Sequence, residues 1–159
     1  MNTINKYEKR NYWFILVTMI LSIAILVVNL VAFFKKVPLD TVFDMKNGVF
    51  FYLICFIIQT LLVITFFIIV LRFLKVINKK DFFNSRNYNK IFFSSILIIV
   101  YATLNSMKGI IDIDVTYKAL LNTAPFTTIL LLNIASMMLN FLSIYNESES
   151  IKKENDLTI

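Results

Sequence analysis

Asp112 and Asp114 stand two residues apart, and two carboxylates at that spacing can help hold a cation. The plainer reading is a solvated loop. The chain has no histidine, which removes the commonest general base and the commonest metal ligand together. Its lone cysteine, Cys55, lies inside an apolar run and has no partner within the chain for a disulfide. No H-E-x-x-H, G-x-S-x-G, phosphate-binding loop or pair of embedded aspartates occurs. These absences argue against an enzyme, and no catalytic residue, cofactor or metal is assigned.

Two other patterns carry information. The first is a polar stripe. Asn133, Ser136, Asn140 and Ser143 follow three–four–three spacing, which places them on one face of a helix. Polar side chains in hydrocarbon seek partners on adjacent helices, so the stripe reads as a packing seam, within a bundle or at a homodimer interface. A polar lining for a ligand path is the alternative. Candidate partners are Asn29, Gln59, Thr60 and Asn105. The second pattern is the basic interval Arg72–Lys90. It carries Arg72, Lys75, Lys79, Lys80, Arg86 and Lys90 against one acid, Asp81, and interleaves Phe73, Phe82, Phe83 and Tyr88. Basic plus aromatic can mean nucleic acid. Between two long apolar runs it more often means topology charges and an interfacial belt.

Composition explains those runs. The chain is 58% hydrophobic and 16% charged, against roughly 45–50% and 25% in soluble domains. The apolar residues cluster into four stretches, at about 12–34, 49–71, 87–107 and 125–145. Stretches of roughly 20 residues are long enough to cross a bilayer as helices. The first follows a basic start, as a signal peptide would. It is longer than a signal core and ends at Lys35–Lys36 without a small-residue cleavage site, so it reads as an uncleaved span. The apolar core of the third, Ile91 to Met107, is short unless its helix starts one turn earlier, with Asn84 or Ser85 as cap. Lys35 to Asn47 reads as a short polar connection. Residues 109–115 alternate polar and apolar, as an extended or interfacial segment would. Asn122 or Thr123 suits the cap of the fourth helix, with Pro125 in its first turn. No Asp, Glu, Lys or Arg falls within the four apolar cores, which weakens the case for an ion-coupled pump. The expected fold is all-α: one integral membrane four-helix bundle, with a cytoplasmic loop at 72–86 and a tail at 146–159.

Orientation follows from the basic residues outside the spans. Lys6, Lys9, Arg10, the six of the central interval, Lys152 and Lys153 make eleven on one side; Lys35, Lys36, Lys46, Lys108 and Lys118 make five on the other. Cytoplasmic connections carry the excess of Lys and Arg, which places both termini inside. The net charge of +6 then has a topological source, not a nucleic-acid one.

The exit from the second span, Leu74-Lys-Val-Ile-Asn-Lys-Lys-Asp-Phe-Phe-Asn-Ser85, and the ending Lys153-Glu-Asn-Asp-Leu-Thr-Ile159 carry a resemblance. The chain resembles the small bacterial four-span membrane proteins grouped as domain of unknown function 2975, whose members end in E-N-D-L-T-[IV]. The segment Asn146-Glu-Ser-Glu-Ser150 departs from that pattern. The resemblance implies a multi-pass protein of the cell membrane with no assigned catalytic residues. It also implies a neighbouring small helix-turn-helix regulator as partner. On that implication Lys79, Lys80, Phe82, Phe83, Arg86, Asn155, Asp156, Leu157, Thr158 and Ile159 form a docking surface for a cytosolic protein, with no direct nucleic acid. The alternative function is an immunity or resistance protein, or a passive efflux component. A C-terminal green fluorescent protein fusion should fluoresce and a C-terminal alkaline phosphatase fusion should be inactive; an active phosphatase would reverse the orientation.

Overall fold

The computed structural model describes the backbone of residues 2–77 and 85–156 and the side chains of 10–75, 85–139, 141, 142 and 145. Six α-helices follow in order: α1 (Asn2–Lys36), α2 (Leu39–Phe43), α3 (Val49–Ile77), α4 (Ser85–Ile110), α5 (Val115–Leu120) and α6 (Ala124–Asp156), with a 3₁₀ turn at Met45–Asn47. Among the described residues no strand is present. Four stretches are long and apolar enough to cross a membrane: Arg10–Lys36, Val49–Lys75, Ser85–Ile110 and Val115–Leu139. The fourth is a single run by composition, but its backbone is interrupted at 121–123, between α5 and α6.

Local chemistry sets the boundaries. Val37 precedes Pro38, and a pre-proline residue is driven out of the helical region, so α1 stops at Lys36. Asn47 donates its amide to Thr41 O at 2.7 Å and accepts from Val49 N at 3.0 Å, which caps the start of α3. Asp114 accepts from Thr116 N at 2.7 Å and begins α5. Hydrogen bonding to Thr116 holds its carboxyl below the usual carboxylate range. Its capping contribution is therefore complete above the ordinary aspartate range and is lost as pH falls through the depressed value. Asn122 accepts from Ala124 N at 2.9 Å, the cap expected for the fourth helix. Residues 109–115 do not form one extended segment: Gly109 and Ile110 finish α4, Val115 opens α5, and only 111–114 lie outside both helices.

The core is built around α3, which packs against α1, α4 and α6. Phe56, Phe66 and Phe67 on α3 are fully buried, with Phe33 and Ile15 from α1 and Phe126 from α6. Phe56 meets Phe126 edge-on at 5.9 Å between ring centroids, a geometry that favours aromatic pairs beyond their area alone. Ring contacts also show which termini share an end. Lys75 Nζ lies 5.8 Å over the Tyr12 ring, and Phe73 is 5.7 Å from Phe141. The start of α1, the end of α3 and the later part of α6 are thus together. At the opposite end Phe33 is 6.5 Å from Tyr117 of α5.

That opposite end closes on Gly48. It has φ +70, in the left-handed region, and a Cβ there would sit 3.0 Å from Ile111 Cγ2 and 3.4 Å from Asp112 O. The glycine joins the α2–α3 and α4–α5 connections by permitting both the turn and the close approach. Gly48→Ala should lower stability by about 1–3 kcal/mol, from left-handed strain plus the contact. Thermal unfolding in detergent should show a lower midpoint than for wild type and for the control Gly109→Ala, where an added Cβ meets nothing within 4 Å.

Candidate functional site

The buried residues of α4 are Asn87, Ser94, Tyr101 and Lys108. They repeat every seven residues, so they lie along one helix face, and all four are polar. The face turned away from the protein carries Phe92, Phe93, Ile96, Ile99, Val100 and Met107. α4 thus buries polar side chains and exposes large apolar ones, and the exposed hydroxyls of Ser95, Thr103 and Ser106 donate back to Ile91 O, Ile99 O and Ala102 O, an arrangement that suits a helix surrounded by lipid.

Lys108 anchors the far end of this face. The sequence places it in the outer connection as a solvated charge, but its helix continues to Ile110 and its side chain is only 3% exposed. The ammonium donates to Leu121 O at 2.7 Å and to Thr123 Oγ1 at 3.4 Å. It also lies 4.5 Å over the Tyr52 ring and 5.3 Å over that of Phe56. Leu121 is the C-terminal cap of α5, so the charge sits at the negative end of that short helix. Two aromatic faces and two oxygen acceptors replace its water. The described ion pair of this end involves a different lysine, Lys118, 3.7 Å from Asp112.

Around Lys108 the polar groups form one connected node. Thr123 Oγ1 donates to Asn105 Oδ1 at 3.1 Å, and Gln59 Nε2 donates to the same oxygen at 3.2 Å. Tyr101 Oη is 2.6 Å from Thr127 Oγ1 and 3.5 Å from Thr123 O. Gln59 is fully buried, and its Oε1 has no hydrogen-bond partner. The node joins α3, α4 and the break before α6. What this arrangement does chemically is satisfy the Leu121 carbonyl at the end of α5 and cross-link the start of α6 to α3 and α4. It holds a cation and hydrogen-bonding groups in place but presents no nucleophile–base pair. Asp112 and Asp114 do not converge on a common centre: Asp112 pairs with Lys118 and Asp114 caps α5.

Of the stripe expected on the fourth helix, the side chains of Asn133 and Ser136 are described. Asn133 is fully buried; its amide donates to Thr18 Oγ1 at 3.2 Å and to Ile129 O at 2.7 Å. Thr18 in turn donates to Ile15 O at 3.0 Å, and Ser22 donates to Thr18 O at 2.9 Å. The partner of Asn133 is therefore Thr18 on α1, not Asn29, Gln59, Thr60 or Asn105. Gln59 and Asn105 pair with each other instead, and Thr60 donates to Phe56 O at 2.6 Å. Ser136 is half-buried and has a partner. The side chains of Asn140 and Ser143 lie outside the described residues, although both are within α6.

Of the docking residues, Arg86 is exposed in the first turn of α4. Lys79, Lys80, Phe82 and Phe83 lie outside the described residues, as do Leu157, Thr158 and Ile159. Asn155 and Asp156 close α6, with side chains not described. Thr18, Tyr101 and Lys108 were missed by sequence reasoning. For α4 the signal was available as the seven-residue polar repeat. Compared with protein-family models, curated proteins and solved structures, the chain matches none of them.

Lys108→Ala should destabilise the protein by about 2–4 kcal/mol, because it opens a cavity and leaves Leu121 O without its donor. Lys108→Met keeps the volume and removes a buried charge, so its loss should be smaller, about 1 kcal/mol. Unfolding in a denaturing detergent series should rank wild type above Met and Met above Ala.

Proposed function

We propose that the chain is a multi-pass protein of the cell membrane, a four-helix bundle with both termini in the cytoplasm. We read it as non-enzymatic and regulatory. Its cytoplasmic face binds a soluble partner, and a small helix-turn-helix regulator is the partner that the resemblance to the four-span bacterial family suggests. The observation that carries this reading is the helical projection at one end. α6 does not stop at Tyr145 but continues to Asp156, eleven residues further, or about 16 Å. α1 begins at Asn2, well before the apolar stretch that opens at Tyr12. The contacts of Lys75 with Tyr12 and of Phe73 with Phe141 bring these projections to the end where the basic interval leaves α3. Two polar helical extensions beside a basic connection make a surface that a folded protein can grip, which a merely solvated tail does not offer.

The reading as a passive efflux or immunity component drew on the polar stripe of the fourth helix. Asn133 counts against it, since its amide is engaged by Thr18 and Ile129 O and faces packed side chains. Beside Tyr101 the polar face of α4 is bordered by the apolar side chains Leu62, Val63, Phe66, Leu97, Ile98 and Leu130.

Solubilised full-length protein should co-purify with a cytosolic partner. Recovery should fall about tenfold on replacing Lys79, Lys80 and Arg86 with Gln, and again on deleting Glu154–Ile159, as expected when rim charges and anchor contacts are removed. Failure of the native protein to recover any cytosolic protein would end the proposal.

A further inference from the structure

The connection between α1 and α3 lies beyond the apolar stretch at 12–34 and before that at 49–71, yet large apolar side chains share its exposed surface with charged ones. Leu39 is 61% exposed, Phe43 66% and Met45 61%. Leu39 and Phe43 are four residues apart on α2 and share one helix face. Val42, from the same helix, is buried and fixes α2 against the protein beside Val37 and Val49. The exposed pair is thus held in place.

Two observations say what covers this face. The first is continuity. Val27, Val28, Val31 and Phe34 form the exposed apolar side of α1 and lead into Leu39. Along the chain, the exposed apolar residues of α1 are thus followed directly by those of α2 and the 3₁₀ turn. The second is charge. Lys35, Lys36 and Lys46 are exposed and flank the apolar residues in sequence. Long cationic side chains at the edge of an apolar face reach phosphate while their stems stay in the acyl boundary. The neighbouring acids are accommodated: Asp44 accepts from Lys46 N at 3.0 Å, and Asp40 is four residues before it, on a face adjacent to the apolar one.

We propose that residues 35–47 form an interfacial anchor. Leu39, Phe43 and Met45 insert at the boundary between acyl chains and headgroups of the bilayer the protein spans, and Lys35, Lys36 and Lys46 bind its phospholipid phosphates. The anchor rests on the membrane reading but not on which side the termini occupy. It replaces the solvated polar connection that the composition of the segment implies.

The chain has one tryptophan, Trp13, so Trp13→Phe provides a silent background. Phe43→Trp and, separately, Met45→Trp are placed on it in the full-length protein. Each is reconstituted into phosphatidylcholine vesicles, with or without phosphatidylglycerol, using lipids brominated near the carbonyl end of the acyl chain. Val28→Trp, on the exposed face of α1, is the reference. Both connection tryptophans should show blue-shifted emission and about twofold quenching by the brominated lipid, at a shallower depth than Val28→Trp. Phosphatidylglycerol should increase the quenching, and replacing Lys35, Lys36 and Lys46 with Gln should remove that increase. Red-shifted emission with quenching by acrylamide alone would overturn the anchor. Shielding that grows with protein-to-lipid ratio and ignores bromine would overturn it too, in favour of a second copy. If Val28→Trp is itself unquenched, the membrane reading fails rather than the anchor.

Discussion

A helix that breaks inside an apolar environment leaves carbonyls that water cannot reach, and the node at residues 121–123 answers that constraint. Lys108 reaches from the last turn of α4 to Leu121 O, and Tyr101 and Thr127 converge on Thr123. Thr123 O also accepts from Thr127 N at 3.0 Å, whereas Leu121 O left without Lys108 would cost on the order of 1–3 kcal/mol, so the break leans on that one residue of the polar face of α4. The cation is tolerable because Tyr52 and Phe56 present their ring faces to it. α3 contributes those rings, and α3 is also the helix on which the others pack. The same node therefore ties local chain geometry to helix arrangement.

The two ends of the molecule have different characters. At one, the α2–α3 and α4–α5 connections are short and meet at Gly48. They carry apolar side chains outward and, at Asp112 and Lys118, a surface ion pair of the kind that contributes little. At the other, α1 and α6 extend into polar sequence. One end is closed down onto itself and the other reaches away from it. That asymmetry fits a protein whose exchanges with other molecules occur at the extended end.

The four membrane-length stretches were legible because hydrocarbon thickness demands long apolar runs, and runs survive without any knowledge of packing. The break before α6 was legible only in part. Asn122 and Pro125 marked the start of α6, but nothing local announced that Val115–Leu120 would form a separate turn of helix. Lys108 was misread for a physical reason. A lysine at the end of an apolar run is usually a topology charge, and only the shape of α3 and the 121–123 carbonyls make burial tolerable. Asn133 was singled out by its spacing, and its partner was not. The carboxamide pairs with Thr18, which lies within an apolar run where one hydroxyl hardly alters the pattern.

α6 runs unbroken for 33 residues from Ala124 to Asp156, and Asn133 hydrogen-bonds it to α1 about a quarter of the way along. At a constant rise per residue, the arm from Asn133 to the tail is roughly two and a half times the arm to the break. A straight rod pivoting on that bond is a lever with unequal arms. Were α6 rigid and held there alone, a one-ångström shift of the 121–123 node would appear as a displacement of about 2.5 Å at Asp156, in the opposite direction; Phe141, packed on Phe73 of α3, is the second point that holds the long arm.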